Sequence, residues 1–229
     1  MKTETTKEVD GTDIARRSFL RTAGVAVASA GLLATAACHK DHKVVISTGI
    51  DIGSGDLGIL NYAYVLEQLE AAFYNQVVAS PYSGMSSLEL SYMTAIRDHE
   101  VCHREFFKKM LGTNAIIGLT VDFSAVNFNS RTTVLALAKT FEDTGVMAYN
   151  GVAYLIQNPA YLTIAGKIVS VEARHSALIR DLITPGSFAG SDIVASNGLN
   201  NTMTVAQVLA IANTYLKSRV TAPSFNYYN

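Results

Sequence analysis

The chain has 229 residues, 49% of them hydrophobic and 16% charged, with a formal net charge of −1. That length suits one domain with a tail, and the apolar content excludes a disordered or collagen-like chain. Near-neutral charge argues against nucleic acid as the main partner, because phosphate binding needs a basic surface. Two cysteines can build neither a disulfide framework nor a four-thiolate zinc site.

The first 37 residues read as an export signal rather than as part of the fold. Ala15-Arg16-Arg17-Ser18-Phe19-Leu20-Arg21 has the order of a twin-arginine motif, followed by a mildly apolar run from Thr22 to Ala37. That run falls short of the ~20 residues that span a bilayer. Two processing readings stand side by side. Ala34-Thr35-Ala36 fits cleavage between small residues. Ala36-Ala37-Cys38 resembles the end of a lipobox, which would leave Cys38 lipidated, although Thr35 stands where Leu is usual. Either route leads to the periplasm or cell envelope through the twin-arginine export machinery. Cys102 is then expected to be a free, buried thiol. Residues 38–56 read as a linker, with His39 and His42 in its solvated part.

From residue 57 the periodicity predicts helices. Leu60, Tyr64, Leu69, Phe73 and Val77 mark the first, over 57–78, and Ser80-Pro81-Tyr82-Ser83-Gly84 turns the chain. Ser86 or Ser87 caps a second, with Glu89 in its first turn, running to Leu111 and stopping at Gly112. Residues 112–130 are β-like, with no helical stripe. A third helix is predicted over 131–156, a fourth over 160–183 after Asn158-Pro159, and a shorter fifth over 204–219. An extended residue advances ~3.3 Å and a helical one ~1.5 Å, so 112–130 can recross a helix of this length. Two hairpins joined by one long crossover define an all-α, ferritin-like four-helix bundle over 57–183. The remainder, 184–229, adds a loop, the C-terminal helix and a tail.

Glu-x-x-His occurs twice, as Glu100…His103 in the second helix and Glu172…His175 in the fourth. Residues three apart lie about 60° apart on a helix, so each pair shares a face. A second layer repeats with it. Glu67 and, seven residues on, Tyr74 lie in the first helix; Glu142 and, seven residues on, Tyr149 lie in the third. The chain thus reads twice as Glu, Tyr, Glu-x-x-His, once per hairpin. Four carboxylates and two imidazoles facing one core are costly without a partner. Two divalent cations supply one, and this donor set suits iron or manganese.

Ile59-Leu60-Asn61-Tyr62-Ala63 and Leu66-Glu67-Gln68-Leu69-Glu70-Ala71-Ala72-Phe73-Tyr74, together with the repeat, resemble the ferritin-like superfamily. More closely the chain looks like exported bacterial ferritin-like proteins related to desiccation-associated proteins. The resemblance implies that Glu67, Glu100, His103, Glu142, Glu172 and His175 ligate a dimetal centre and form its catalytic group, with Tyr74 and Tyr149 just outside them. It implies redox chemistry on Fe(II), dioxygen or hydrogen peroxide; the alternative is a structural, stress-protective or metal-sequestering envelope protein. The expected partners are metal ions and a small oxidant, with a lipid anchor and a homo-oligomer among the alternatives. The rubrerythrin Cys-x-x-Cys site is absent from the sequence. Glu70 is read as a bundle-edge carboxylate or a neighbour of the ligands, His99 as exposed and facing elsewhere, and Cys102 as core rather than ligand.

Overall fold

The computed structural model describes residues 49–225. The twin-arginine segment, Cys38, His39 and His42 lie outside the described residues. Five α-helices follow in order: α1 (Gly55–Ala79), α2 (Ser87–Leu111), α3 (Arg131–Val152), α4 (Pro159–Ile183) and α5 (Val205–Ala212). The only ladder among the described residues is a short parallel pair, β1 (Ile50–Asp51) with β2 (Val220–Thr221), in register Ile50 to Val220. The chain is therefore all-α.

Local chemistry sets the helix ends. Ser86 and Glu89 form a reciprocal capping box: the Ser86 hydroxyl accepts from the Glu89 N–H, and the Glu89 carboxylate accepts from the Ser86 N–H. Asn158 caps α4, and Pro159 occupies its first turn, where a missing N–H costs nothing. Gly112 ends α2 at φ 55°, a left-handed angle that favours glycine.

Helix α1 packs against α2, α3 packs against α4, and α1 meets α3 across the bundle. Crossover and C-terminal segments cover α1 further, so it is buried almost all round from Gly58 to Tyr74. Two polar side chains of α1 are buried because they tie down that covering. Asn61 accepts from the Ile116 N–H and donates to the Ile52 and Asn114 carbonyls, and Gln68 accepts from the Leu119 N–H. The crossover holds a bridge from Val121 to Leu216 rather than a strand of its own.

Three boundaries differ from expectation. Helix α3 stops at Val152 and tightens into a 3-10 turn over Ala153–Leu155. Gly151 there lies against the Met203 carbonyl so closely that any Cβ would collide with it. Helix α5 stops at Ala212, because the Asn213 side chain bonds both the N–H and the carbonyl of Val220 and draws the chain into β2. Residues 49–56, read as linker, are packed: β1 pairs with β2, and Ile52 is fully buried.

Candidate metal centre

Glu67, Glu100, Glu142 and Glu172 have no measurable solvent exposure, and His175 is buried as well. They come one or two from each of the four helices, and their side chains converge at mid-bundle. His103 Nδ1 lies 3.3 Å from Glu67 Oε2, 3.6 Å from Glu100 Oε2 and 2.9 Å from Glu172 Oε1. His175 Nδ1 lies 2.8 Å from Glu100 Oε1, 3.5 Å from Glu142 Oε2 and 3.7 Å from Glu172 Oε2. The six side chains thus form two groups of four that share Glu100 and Glu172, each group's ligand atoms lying within 4.8 Å of one another. That spread is close to twice the ~2.0–2.2 Å bond of a divalent ion to nitrogen or oxygen. Each shared glutamate turns one oxygen toward each imidazole. Glu67 belongs only to the His103 group, and Glu142 only to the His175 group.

Hydrogen bonding separates the inward atoms from the rest. The outer oxygen of Glu142 accepts from the Tyr74 hydroxyl at 2.6 Å, and that of Glu67 accepts from the Tyr149 hydroxyl at 2.5 Å. The inward atoms face only one another: Glu67 Oε2, Glu142 Oε2, both oxygens of Glu100 and of Glu172, and Nδ1 of both histidines have no hydrogen-bond partner outside the cluster. Six of these eight atoms are acceptors, more than two imidazole N–H groups can satisfy, and buried acceptors left facing one another are costly unless protons or cations lie between them. The donor set fits two metal ions: carboxylates to carry the charge, one imidazole per ion, and two carboxylates placed to bridge.

Electrostatics describe what the group does with protons in place of cations. Burial raises the pKa of Glu67, and raises Glu100 further with the help of the Glu172 charge. Burial also lifts Glu142 to about 7. Glu172 goes the other way. Burial opposes its charge, but hydrogen bonding to both imidazoles outweighs this and holds it at about 2. Burial likewise opposes the imidazolium of His103, yet Glu100, Glu172 and Glu67 push its pKa up to about 12, and Glu100 and Glu142 raise His175 in the same manner. Cations bound here would displace these protons, so metal affinity weakens as pH falls.

The two tyrosines lie outside the inward set, but each serves the glutamate of the other helix. A tyrosine seven residues from its own glutamate is about 10 Å away along the axis, beyond the reach of a phenol. Tyr74 of α1 therefore bonds Glu142 of α3, and Tyr149 of α3 bonds Glu67 of α1.

Three further side chains are placed more specifically than spacing indicated. Glu70 is not at the bundle edge: it is 3% exposed, and its carboxyl is held well above the ordinary range by burial and by Glu172, Glu100, Glu142 and Glu67. Its Oε1 lies 3.2 Å from where a Cβ on Gly145 would stand, so the missing side chain of Gly145 makes its room. His99 is exposed but does not face away. Its ring stacks on His175 with centroids 5.1 Å apart, and its Nδ1 lies 2.9 Å from His175 Nε2. That contact anchors the ring edge of His175 opposite the cluster. Cys102 is a free thiol, as expected, but exposed rather than buried. It is two residues from Glu100, which turns it to the outer face of α2. Sequence reasoning also passed over Arg180, whose buried guanidinium bonds Asp143 and Asp192 while Ser176 donates to Asp143. This clamp fixes α4 against α3 beside the carboxylate–imidazole cluster.

The ferritin-like domain family matches residues 55–185 of this chain, which span all four bundle helices and all six converging side chains. The chain belongs to that family. No curated protein matches it.

Proposed function

We propose that this chain is a dimetal-carboxylate protein that binds two iron or manganese ions and carries out redox chemistry on Fe(II), dioxygen or hydrogen peroxide. The observation that carries the reading is the set of eight buried donor atoms with no partner outside their own cluster, arranged as two groups that share Glu100 and Glu172. Glu67, Glu100, Glu172 and His103 would hold one ion, and Glu142, Glu100, Glu172 and His175 the other. A bound pair of such ions supplies one-electron oxidation and reduction at each site. Glu100 and Glu172, common to both groups, would be the carboxylates shared between the two ions. Tyr149 and Tyr74 restrain the two unshared carboxylates by their outer oxygens, leaving the inner ones to the ions. Helix packing keeps bulk water away from the four carboxylates and His175, whereas the His103 side chain is 13% exposed.

Elemental analysis of protein purified without added metal tests the reading. About two ions per chain are expected, one of them lost in Glu142→Ala. Metal near zero, with the stability of Glu142→Ala unchanged, would overturn it. Turnover of Fe(II) with dioxygen, or of peroxide with the reduced metal, separates an enzyme from a sequestering protein; a single stoichiometric reaction would favour the latter.

Export is part of the same proposal. Arg16-Arg17 ahead of an apolar run supports a twin-arginine route to the periplasm or envelope, with either a lipid anchor at Cys38 or cleavage at Ala34-Thr35-Ala36. Folding before export lets weaker-binding iron or manganese be loaded away from competing copper and zinc. Arg16→Lys with Arg17→Lys should leave a folded, metal-loaded precursor inside the cell. Finding the double variant outside would refute this route.

A further inference from the structure

The two ends of the bundle flanking the ligand cluster are filled differently. Beside Tyr74 the space is taken by Phe73, Phe123, Phe128 and Phe141, with ring centroids 5.3–6.5 Å apart. Beside Tyr149 there is a cavity of about 20 Å³, walled by all four helices. The internal repeat accounts for it. Tyr74 is preceded by Phe73, but Tyr149 is preceded by Ala148. Met93 stands seven residues before Glu100, but Ala165 stands seven residues before Glu172. Ala148 and Ala165 both line the cavity. Its inner wall includes Leu66 and Tyr149, and Tyr149 carries the hydroxyl bonded to Glu67. Its outer wall, at Tyr161, Ile164 and Ala165, is only half-buried, so the cavity lies between the surface of α4 and the ligand cluster.

We propose that this cavity is a dioxygen pocket, and that dioxygen rather than hydrogen peroxide is the oxidant the protein admits at this end. The argument is size and polarity. A cavity needs roughly 10–15 Å³ to hold one water-sized molecule, so this one takes a single diatomic. Its walls are almost wholly carbon. The Tyr149 hydroxyl is committed to Glu67, which leaves the buried Tyr62 hydroxyl as the single polar partner that the buried walls can offer an occupant. Water in a cavity needs two to four polar partners, and a peroxide with two O–H groups is no less demanding. Dioxygen has no hydrogen bonds to lose on leaving water. The cavity stands on its own geometry; that the gas meets a redox-active pair beyond Tyr149 rests on the dimetal reading.

Dioxygen itself is the probe, and its paramagnetism reports its position without any metal. In the metal-free full chain under raised oxygen pressure, the methyl signals of Ala63, Ala148 and Ala165 should relax faster, while that of Ala138, fully buried but away from the cavity, should not. Ala165→Met copies the opposite end and should abolish the effect at Ala63 and Ala148. In metal-loaded protein the same substitution should slow Fe(II) oxidation by dioxygen about tenfold or more, with metal content unchanged and the rate with hydrogen peroxide within about twofold. Ala148→Val is the milder second filling, for use if Ala165→Met folds poorly. Uniform relaxation across all buried methyls overturns the pocket. So does an unchanged oxygen rate in a folded filling variant. If wild-type protein binds no metal, the dimetal reading fails, and the methyl relaxation of metal-free protein alone decides whether dioxygen occupies the cavity.

Discussion

The Tyr74 and Tyr149 ends are built from one repeated pattern, and their divergence is instructive. The residues of the cluster and its two tyrosines match across the repeat: glutamate for glutamate, histidine for histidine, tyrosine for tyrosine. Their surroundings do not. Phe73 faces a counterpart in Ala148, Glu70 in Gly145, and His99, just before Glu100, in Val171, just before Glu172. The aromatic end is more fully packed, with Phe73 fully buried among four other aromatic rings and a void of about 10 Å³ left against Phe141 and Glu70. The alanine end holds the cavity. One imidazole, His175, has an anchoring partner on its far edge in His99, whereas no such histidine stands before Glu172 to serve His103. The two groups are thus equivalent in donors and inequivalent in access, charge and support.

Breaking what the halves share should have the largest effect. Glu172→Ala removes a carboxylate common to both groups, so both ions should be lost, where Glu142→Ala should lose only the ion in the His175 group. Elemental analysis of the two variants side by side makes the comparison; equal losses would mean that the groups do not share Glu172.

The ends themselves should differ next. Phe73→Ala opens the aromatic end and should cost about 3–5 kcal/mol in denaturant unfolding, since it leaves a cavity among packed rings. Ala165→Met adds a side chain larger than the void it enters and should cost about 1–3 kcal/mol, less than Phe73→Ala. A reversal of that order would contradict the difference in packing.

Protonation gives a graded effect. His103, at about 12 in the fold and about 6.5 unfolded, stabilises the metal-free protein below pH 6.5 and ceases to as pH rises toward 12. Glu142, raised to about 7, makes metal-free protein lose stability as pH climbs from about 4.5 to 7. Glu172 acts oppositely, its contribution disappearing as pH falls from 4.5 toward 2. Metal-free protein should therefore melt highest near pH 5 and progressively lower toward pH 9. Bound cations should flatten that slope, because they replace the protons. Thermal melts with and without metal across this range are the check.

Smaller effects sharpen the inequivalence. His99→Ala should weaken metal at the His175 group roughly tenfold and leave the His103 group unchanged, as seen in stepwise metal titration. Glu70→Gln should change metal content and stability least of all, because the amide replaces a carboxyl that burial keeps neutral. Loss of an ion in Glu70→Gln would make Glu70 a ligand instead.

Much of this protein was legible before any coordinates. Capping residues such as Ser86 and Asn158 act over three residues or fewer, so helix starts follow from local sequence alone. The six converging side chains followed from helical period and repetition, because three- and seven-residue spacings place side chains on one face whatever surrounds the helix. The sharing of Glu100 and Glu172, the crossing of each tyrosine to the other helix's glutamate, the stacking of His99 on His175 and the burial of Glu70 over Gly145 were decided by the tertiary structure. Each depends on the separation and rotation of neighbouring helices, and a spacing along one helix carries no information about those. The cavity shows the same division: Ala148 and Ala165 are visible in the chain as small residues, but only packing determines whether a neighbour moves in to fill the volume they leave or a void remains.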